Sequence, residues 1–221
     1  MCVKICGVRD HESARIVAEA RPDAIGLNFY AKSARCVQPA VAKAIVAELP
    51  DDVAPVGVFV NHPADDVAAI CRMAGIRLAQ LHGDETPEML ATLAAAAPEL
   101  RLIRAFRVGD GGLAGVTPYL QRCRELGVSL FACLLDARVP GRYGGTGELA
   151  PWDAIRADYR YDDWPPLILA GGLTPENVSA GIAAVRPWGV DTAGGVESAI
   201  GVKDRELVAR FVRSARGTQE T

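Results

Sequence analysis

Short apolar runs alternate along the chain with longer stretches whose apolar positions recur every three or four residues. The runs at 3–6, 23–29, 54–60, 78–81, 102–106, 129–135, 167–169 and 189–191 are predicted strands. Helices are predicted at 11–19, 39–48, 63–73, 87–96, 116–126, 152–157, 175–185 and 204–214. Strands that are apolar almost throughout suit a parallel sheet covered on both faces. Eight strand–helix units in strict alternation predict an α/β fold. It is a single-domain (β/α)8 TIM barrel with a parallel eight-stranded barrel, over residues 1–215. The sixth unit is the weakest, since 141–166 is rich in Gly, aromatic and acidic residues around one short helical pattern. An open doubly wound sheet is the alternative. Segment 159–164 reads as a long surface connection, and 216–221 as a frayed, disordered polar tail.

Half of the 221 residues are apolar, enough to bury one sizeable core. A net charge of −3 argues against a nucleic-acid partner. The apolar runs are interrupted well short of the roughly 18 residues that a membrane span needs. The opening MCVKICG has no basic-then-apolar leader, so a cytoplasmic protein is expected. Six cysteines raise the question of disulfides or metal. Cys2 and Cys6 share one strand, about 13 Å apart by strand rise. That is too far for a disulfide or for two thiolates on one zinc ion. Cys36, Cys71, Cys123 and Cys133 are scattered without a CxxC pair, and His11 and His62 form no ligand cluster with His82. Free thiols and no metal are expected.

Strand alternation puts Cys2, Lys4 and Cys6 on one face and Val3 and Ile5 on the other. Val and Ile suit the layer against the helices, so Lys4 and Cys6 point into the barrel. Cys6 ends its strand at the C-terminal mouth, where active sites of this fold lie. There it is either a small core residue or a general base, with the Lys4 ammonium favouring its thiolate. Asp136 closes the apolar run Ser129-Leu-Phe-Ala-Cys-Leu-Leu-Asp136. It is either a turn-capping residue or an acid whose proton is held on by apolar neighbours. Gly144–Gly147, Gly171–Gly172 and Gly194–Gly195 follow the sixth, seventh and eighth strands. Glycine pairs after the last two strands suit a backbone cradle for phosphate. Arg35, after the second strand, is a surface charge or a fork for a carboxylate. His82 shares a face with Gln80 and either lines the site or caps a turn.

Together these residues resemble the phosphoribosylanthranilate isomerase family. The resemblance is carried by Lys4-Ile-Cys-Gly7, Gly26-Leu-Asn-Phe-Tyr30 with Lys32-Ser33 and Arg35, Val56-Gly-Val-Phe-Val-Asn61 and Gln80-Leu-His-Gly83. It continues through Leu134-Leu-Asp136, Gly144-Gly-Thr-Gly147, Leu169-Ala-Gly-Gly-Leu-Thr-Pro-Glu-Asn-Val178 and Gly189-Val-Asp191 with Gly195-Val-Glu197. The resemblance implies an Amadori rearrangement in tryptophan biosynthesis, without metal or cofactor. The substrate is a phosphorylated small molecule, and the enzyme a monomer or homodimer without nucleic-acid or membrane partners. It makes Asp136 the acid that opens the sugar ring and Cys6 the base. Substrate contacts fall to Arg35, His82, Gly171, Gly172, Asp191, Gly194 and Gly195. Arg35 would meet the anthranilate carboxylate. The family often reads Ser-Ser where this chain has Ala193-Gly194, which leaves phosphate contacts to backbone N–H groups. Cys36, Ala150 and Ala31 replace Tyr, Phe and Pro common in the family. A related barrel that isomerises a histidine-pathway aminoaldose is disfavoured, because such enzymes resemble this one but carry aspartate where Cys6 stands. A non-catalytic phosphate-binding barrel would keep the glycine loops without needing Cys6 and Asp136.

Overall fold

A computed structural model describes residues 1–109, 111–137 and 149–217. Eight parallel strands close into a barrel in chain order: β1 (Cys2–Cys6), β2 (Ala24–Asn28), β3 (Ala54–Phe59), β4 (Leu78–Leu81), β5 (Arg101–Val108), β6 (Leu130–Ala137), β7 (Leu167–Leu169) and β8 (Gly189–Thr192). β8 pairs back onto β1, so the open-sheet alternative is excluded. Between and after them run α1 (His11–Glu19), α2 (Pro39–Glu48), α3 (Ala64–Ala74), α4 (Pro87–Ala96), α5 (Val116–Glu125), α6 (Trp152–Asp158), α7 (Val178–Val185) and α8 (Arg205–Gly217).

Strand alternation divides the apolar residues into two layers. Val3, Ile5, Leu27, Phe59, Leu81, Leu135, Leu169 and Val190 face the helices in one large core. A smaller cluster built mostly of Ala, Val, Ile and Leu, with Ala24, Val56, Ala105 and Ala132 among them, fills the barrel interior. Small side chains there leave room for the buried polar residues Lys4, Gln80 and Asp191.

Several boundaries differ from the sequence expectation. β2 starts after Asp23, whose carboxylate accepts the Val3 N–H at 2.8 Å and anchors the strand entry. β6 runs on to Ala137, so Asp136 pairs in register with Arg107 of β5 and is a strand residue. The helix expected from Pro175 begins at Val178. Ahead of it, Asn177 Oδ1 accepts the Thr174 N–H at 2.8 Å and Nδ2 donates to Gly172 O at 2.9 Å, tying the loop to the helix start. α8 extends to Gly217, and the Arg216 guanidinium donates to Arg21 O, so the helix reaches into the expected tail. Residues 218–221 and the Gly144–Gly147 loop lie outside the described residues.

The connection 159–164 is not a surface strap. Tyr159 and Trp164 are buried with rings packed edge to face, and the Tyr161 hydroxyl donates to Val185 O. A two-stranded hairpin, β9 (Glu197–Ala199) with β10 (Val202–Lys203), follows β8 and was not expected. Gly201 turns it in the left-handed region, at φ +78°. No helix among the described residues is long and apolar enough to cross a membrane. All six cysteines are free thiols.

Candidate active site

The C-terminal ends of the strands enclose one cavity lined by Cys6, Arg35, His82 and Asp136, with Gly171–Gly172 and Asp191–Gly195 forming a wall. Every described residue expected at the site is therefore brought together. In the closed ring β7 and β8 separate β6 from β1. The two glycine loops thus stand between the strand of Asp136 and the strand of Cys6.

Close packing explains the glycines on this wall. A Cβ on Gly195 would lie 1.9 Å from Leu173 O, so only glycine lets the β8 loop pass against the β7 loop. Gly26 is the in-register β2 partner of Cys6, and a Cβ there would lie 2.6 Å from Cys6 Sγ. The missing side chain makes the space that the thiol fills. At Gly194 a Cβ would meet only Arg35 Nη2, at 3.4 Å, so glycine at this position is not imposed by backbone packing.

Lys4 points into the barrel, as alternation predicts, and meets a carboxylate there. It is the in-register partner of Asp191, and its Nζ donates to Asp191 Oδ1 at 2.9 Å with both side chains buried. Burial alone would lower the Lys4 ammonium, but Asp191, helped by Cys6, holds it above the usual lysine range. Its charge is largely matched by Asp191. At Cys6, burial outweighs the attraction of Lys4 and pushes the thiol up, with Asp191 adding to the rise and Lys203 opposing it. Lys4 thus favours the Cys6 thiolate as expected, but burial outweighs it.

Asp136 is buried. Its Oδ1 accepts the Ala137 N–H at 2.9 Å, and its Oδ2 lies 3.2 Å from His82 Nε2. His82 Nδ1 in turn lies 2.8 Å from the Gln80 amide nitrogen. His82 thus lines the cavity and reaches Asp136, rather than capping a turn.

Arg35 already holds a carboxylate. Its Nε and Nη2 donate to the two oxygens of Glu197 at 2.7 and 2.8 Å. Lys203 Nζ, fully buried, donates to Glu197 Oε1 at 2.9 Å and to Ala193 O at 2.8 Å. The hairpin therefore pins Arg35 to the wall and ties the β8 loop to it. Glu197 appeared in the sequence only as the end of a motif, and Lys203 was not singled out. Both sit within a short hairpin, and the Arg35 partner of Glu197 is 162 residues away.

Burial would raise the Glu197 carboxyl, but the Arg35 fork and Lys203 outweigh it and hold it down at about 2. At Lys203 burial wins over Glu197, and the ammonium is pushed below the usual lysine range. Glu197 serves two cations, so it gains more from the cluster than Lys203 does. A carboxylate with a depressed value stabilises the fold fully above its unfolded value near 4.5. That stabilisation fades as pH falls towards 2. Its size is about 3 kcal/mol at 1.36 kcal/mol per unit. Urea unfolding at a series of pH values is expected to show this loss in the wild type and a flatter curve in Glu197→Gln. Parallel curves would remove Glu197 as the source.

A family model described as N-(5'-phosphoribosyl)anthranilate (PRA) isomerase matches residues 3–214. An N-(5'-phosphoribosyl)anthranilate isomerase of Geobacter sulfurreducens is 44% identical over 218 residues, covering 97% of this chain and 98% of its own. The crystal structure of phosphoribosyl anthranilate isomerase from Thermotoga maritima superposes with a TM-score of 0.82 at 35% identity, covering 97% of this chain and 98% of that one. A further phosphoribosyl anthranilate isomerase structure holds reduced 1-(o-carboxyphenylamino)-1-deoxyribulose 5-phosphate. It matches with a TM-score of 0.79 at 32% identity, again over 97% of this chain and 98% of that one. By these matches, running through every element that builds the cavity, the chain belongs to the N-(5'-phosphoribosyl)anthranilate isomerase family.

Proposed function

We propose that this chain catalyses the Amadori rearrangement of N-(5-phospho-β-D-ribosyl)anthranilate to 1-(2-carboxyphenylamino)-1-deoxy-D-ribulose 5-phosphate, the third step of tryptophan biosynthesis. The observation that carries this reading is the facing of Cys6 and Asp136 across one cavity whose intervening wall is two glycine loops. The reaction needs an acid and a base at different atoms of one phosphorylated sugar. Asp136 protonates the furanose ring oxygen as the C1′–O bond breaks, leaving a protonated Schiff base. Cys6 then takes the C2′ proton. The electrons of that C–H bond move into the new C1′–C2′ double bond, and the nitrogen is neutralised. Tautomerisation moves hydrogen from the C2′ hydroxyl to C1′, so C2′ is oxidised as C1′ is reduced, and no external oxidant enters.

The phosphate fits the wall of Gly171–Gly172 and Gly194–Gly195, where backbone N–H groups reach an anion closely. The anthranilate carboxylate is assigned to the Arg35 Nη1 side, which Glu197 does not engage. The enzyme is read as a monomer or homodimer of the cytoplasm.

The purified protein is expected to consume phosphoribosylanthranilate without added cofactor, seen as loss of anthranilate-type fluorescence, and to restore growth of a tryptophan auxotroph lacking this step. Folded protein that binds the phosphorylated substrate without turnover would leave the non-catalytic barrel as the answer.

A further inference from the structure

Lys203 is a buried cation that ion pairing alone does not explain. Its side chain is fully buried, and its carboxylate partner, Glu197, is already gripped at both oxygens by the Arg35 fork. The cluster of Arg35, Glu197 and Lys203 therefore carries one positive charge in surplus. A surplus buried charge is costly unless something else makes use of it. The other bond of Lys203 leads to the glycine wall, where Nζ donates to Ala193 O at 2.8 Å.

A trans peptide is planar, and its C=O and N–H point in opposite directions. No peptide among the described residues is cis. Fixing the carbonyl of Ala193 therefore fixes the direction of the Gly194 N–H. Ala193 and Gly194 line the cavity, whereas Lys203 does not. The ammonium thus grips the carbonyl from behind the wall, and the N–H of the same peptide is turned to the cavity side. Among the described residues no acceptor meets that N–H. Neither Ala193 nor Gly194 carries a hydroxyl, so the N–H is what this stretch offers an anion. An ammonium on the carbonyl also polarises the peptide and strengthens its N–H as a donor.

The loop after β7 is built in the same way. Asn177, which also lies behind the wall, donates from Nδ2 to Gly172 O at 2.9 Å and leaves the Leu173 N–H on the opposite side. The next peptide is taken at both ends. Thr192 Oγ1 donates to Leu173 O at 2.7 Å, and the Thr174 N–H is held by Asn177 Oδ1. Side chains thus peg a carbonyl in each glycine loop, and one N–H of each loop is left towards the cavity. The peg behind the β8 loop is the charged one.

We propose that Lys203 is a positioning residue for the substrate phosphate: by holding Ala193 O from behind the wall, its ammonium aims the Gly194 N–H at the anion. This rests on the reading that the phosphate occupies the glycine wall. Lys203 itself does not touch the phosphate. A residue that only fastened the hairpin to Glu197 would lower stability when lost and leave the phosphate contacts as they are.

The test uses the full chain, inorganic phosphate as the probe, and Lys203→Met, which keeps an unbranched side chain and removes the ammonium. In the wild type, saturating phosphate is expected to move the Gly194 and Leu173 amide protons downfield in ¹H–¹⁵N spectra, as hydrogen bonds to a charged acceptor form. In Lys203→Met the Gly194 signal is expected to lose that movement, while Leu173, pegged by Asn177, keeps it. The inhibition constant of phosphate and the KM of the phosphorylated substrate are expected to rise together by about 10–100-fold, the worth of one hydrogen bond to a charged group. Lys203 also favours the Cys6 thiolate, so kcat is expected to fall as well. Phosphate inhibition does not involve the thiol and reads the cradle alone.

A Gly194 signal that follows phosphate in Lys203→Met as it does in the wild type overturns the proposal even where affinity falls, since lost charge then accounts for the loss. Disappearance of both responses overturns it too, because the wall has then collapsed as a whole. So does a lowered melting temperature with phosphate inhibition unchanged. The wild-type spectrum needs no variant: a Gly194 amide that ignores phosphate there ends the proposal whether or not Lys203→Met folds. If Leu173 ignores phosphate as well, the phosphate reading of the wall falls with it; if Leu173 responds alone, that reading stands. The expected pair of spectra without any turnover removes the isomerase reading and supports Lys203 as the peg.

Discussion

Replacing Asp136 with Asn is expected to lower kcat by about 10²–10⁴-fold, the usual worth of general acid catalysis. Asn keeps the shape of the side chain, and its carbonyl oxygen can still accept the Ala137 N–H that Asp136 Oδ1 accepts at 2.9 Å. It has no proton to give to a ring oxygen. Asn is also as good a turn former as Asp. A residue that merely closes the strand would therefore survive this exchange with near-normal turnover. The effect is expected in kcat, because the proton is transferred only as the ring opens and substrate binding does not depend on it. Saturation kinetics on folded protein, with thermal melting as the control for folding, check this. A fall smaller than about threefold would take Asp136 out of the acid's role.

The fold was legible because each strand is buried on two faces and each helix on one, which writes two different periods into the chain. Boundaries were harder, since they depend on partners elsewhere. The Asp23 carboxylate anchors the entry of β2 by accepting from Val3, 20 residues earlier. The placement of Cys6 and Asp136 on the cavity was legible because strand ends at the barrel mouth are marked by the last residue of an apolar run. Alternation gave the face of Lys4 correctly but not its partner. Asp191 lies 187 residues along and is brought beside it only when β8 closes the ring on β1. The Glu197–Lys203 hairpin left little trace, having strands of three and two residues that are too short to show a period. Arg35 was read as a fork for a substrate carboxylate, and the fork is real. The carboxylate that it grips is the chain's own.

Replacing Cys6 with Ser is expected to cost kcat as much as the loss of the acid, about 10²–10⁴-fold. The two side chains are close in size, and Cys6 fills the space left by Gly26, so the barrel has no reason to unfold. What changes is the ionised form. A thiol ordinarily titrates near 8.5, whereas a serine hydroxyl does not ionise in the accessible range. Burial pushes the Cys6 thiol above its usual value despite Lys4 and Lys203. The base form is thus scarce in the free enzyme at neutral pH, and the kcat/KM profile of the wild type, which needs the thiolate and the Asp136 acid together, is expected to change slope in the alkaline range where the thiolate forms. The sign follows from the direction of the shift: a raised thiol value places the limb above 8.5 and not below it. In Cys6→Ser that alkaline limb is expected to vanish along with most of the rate. A serine variant that kept the wild-type limb would show that another group takes the C2′ proton. A kcat limb well below the kcat/KM limb would show that bound substrate, with its protonated Schiff base facing the sulfur, eases the ionisation of the thiol.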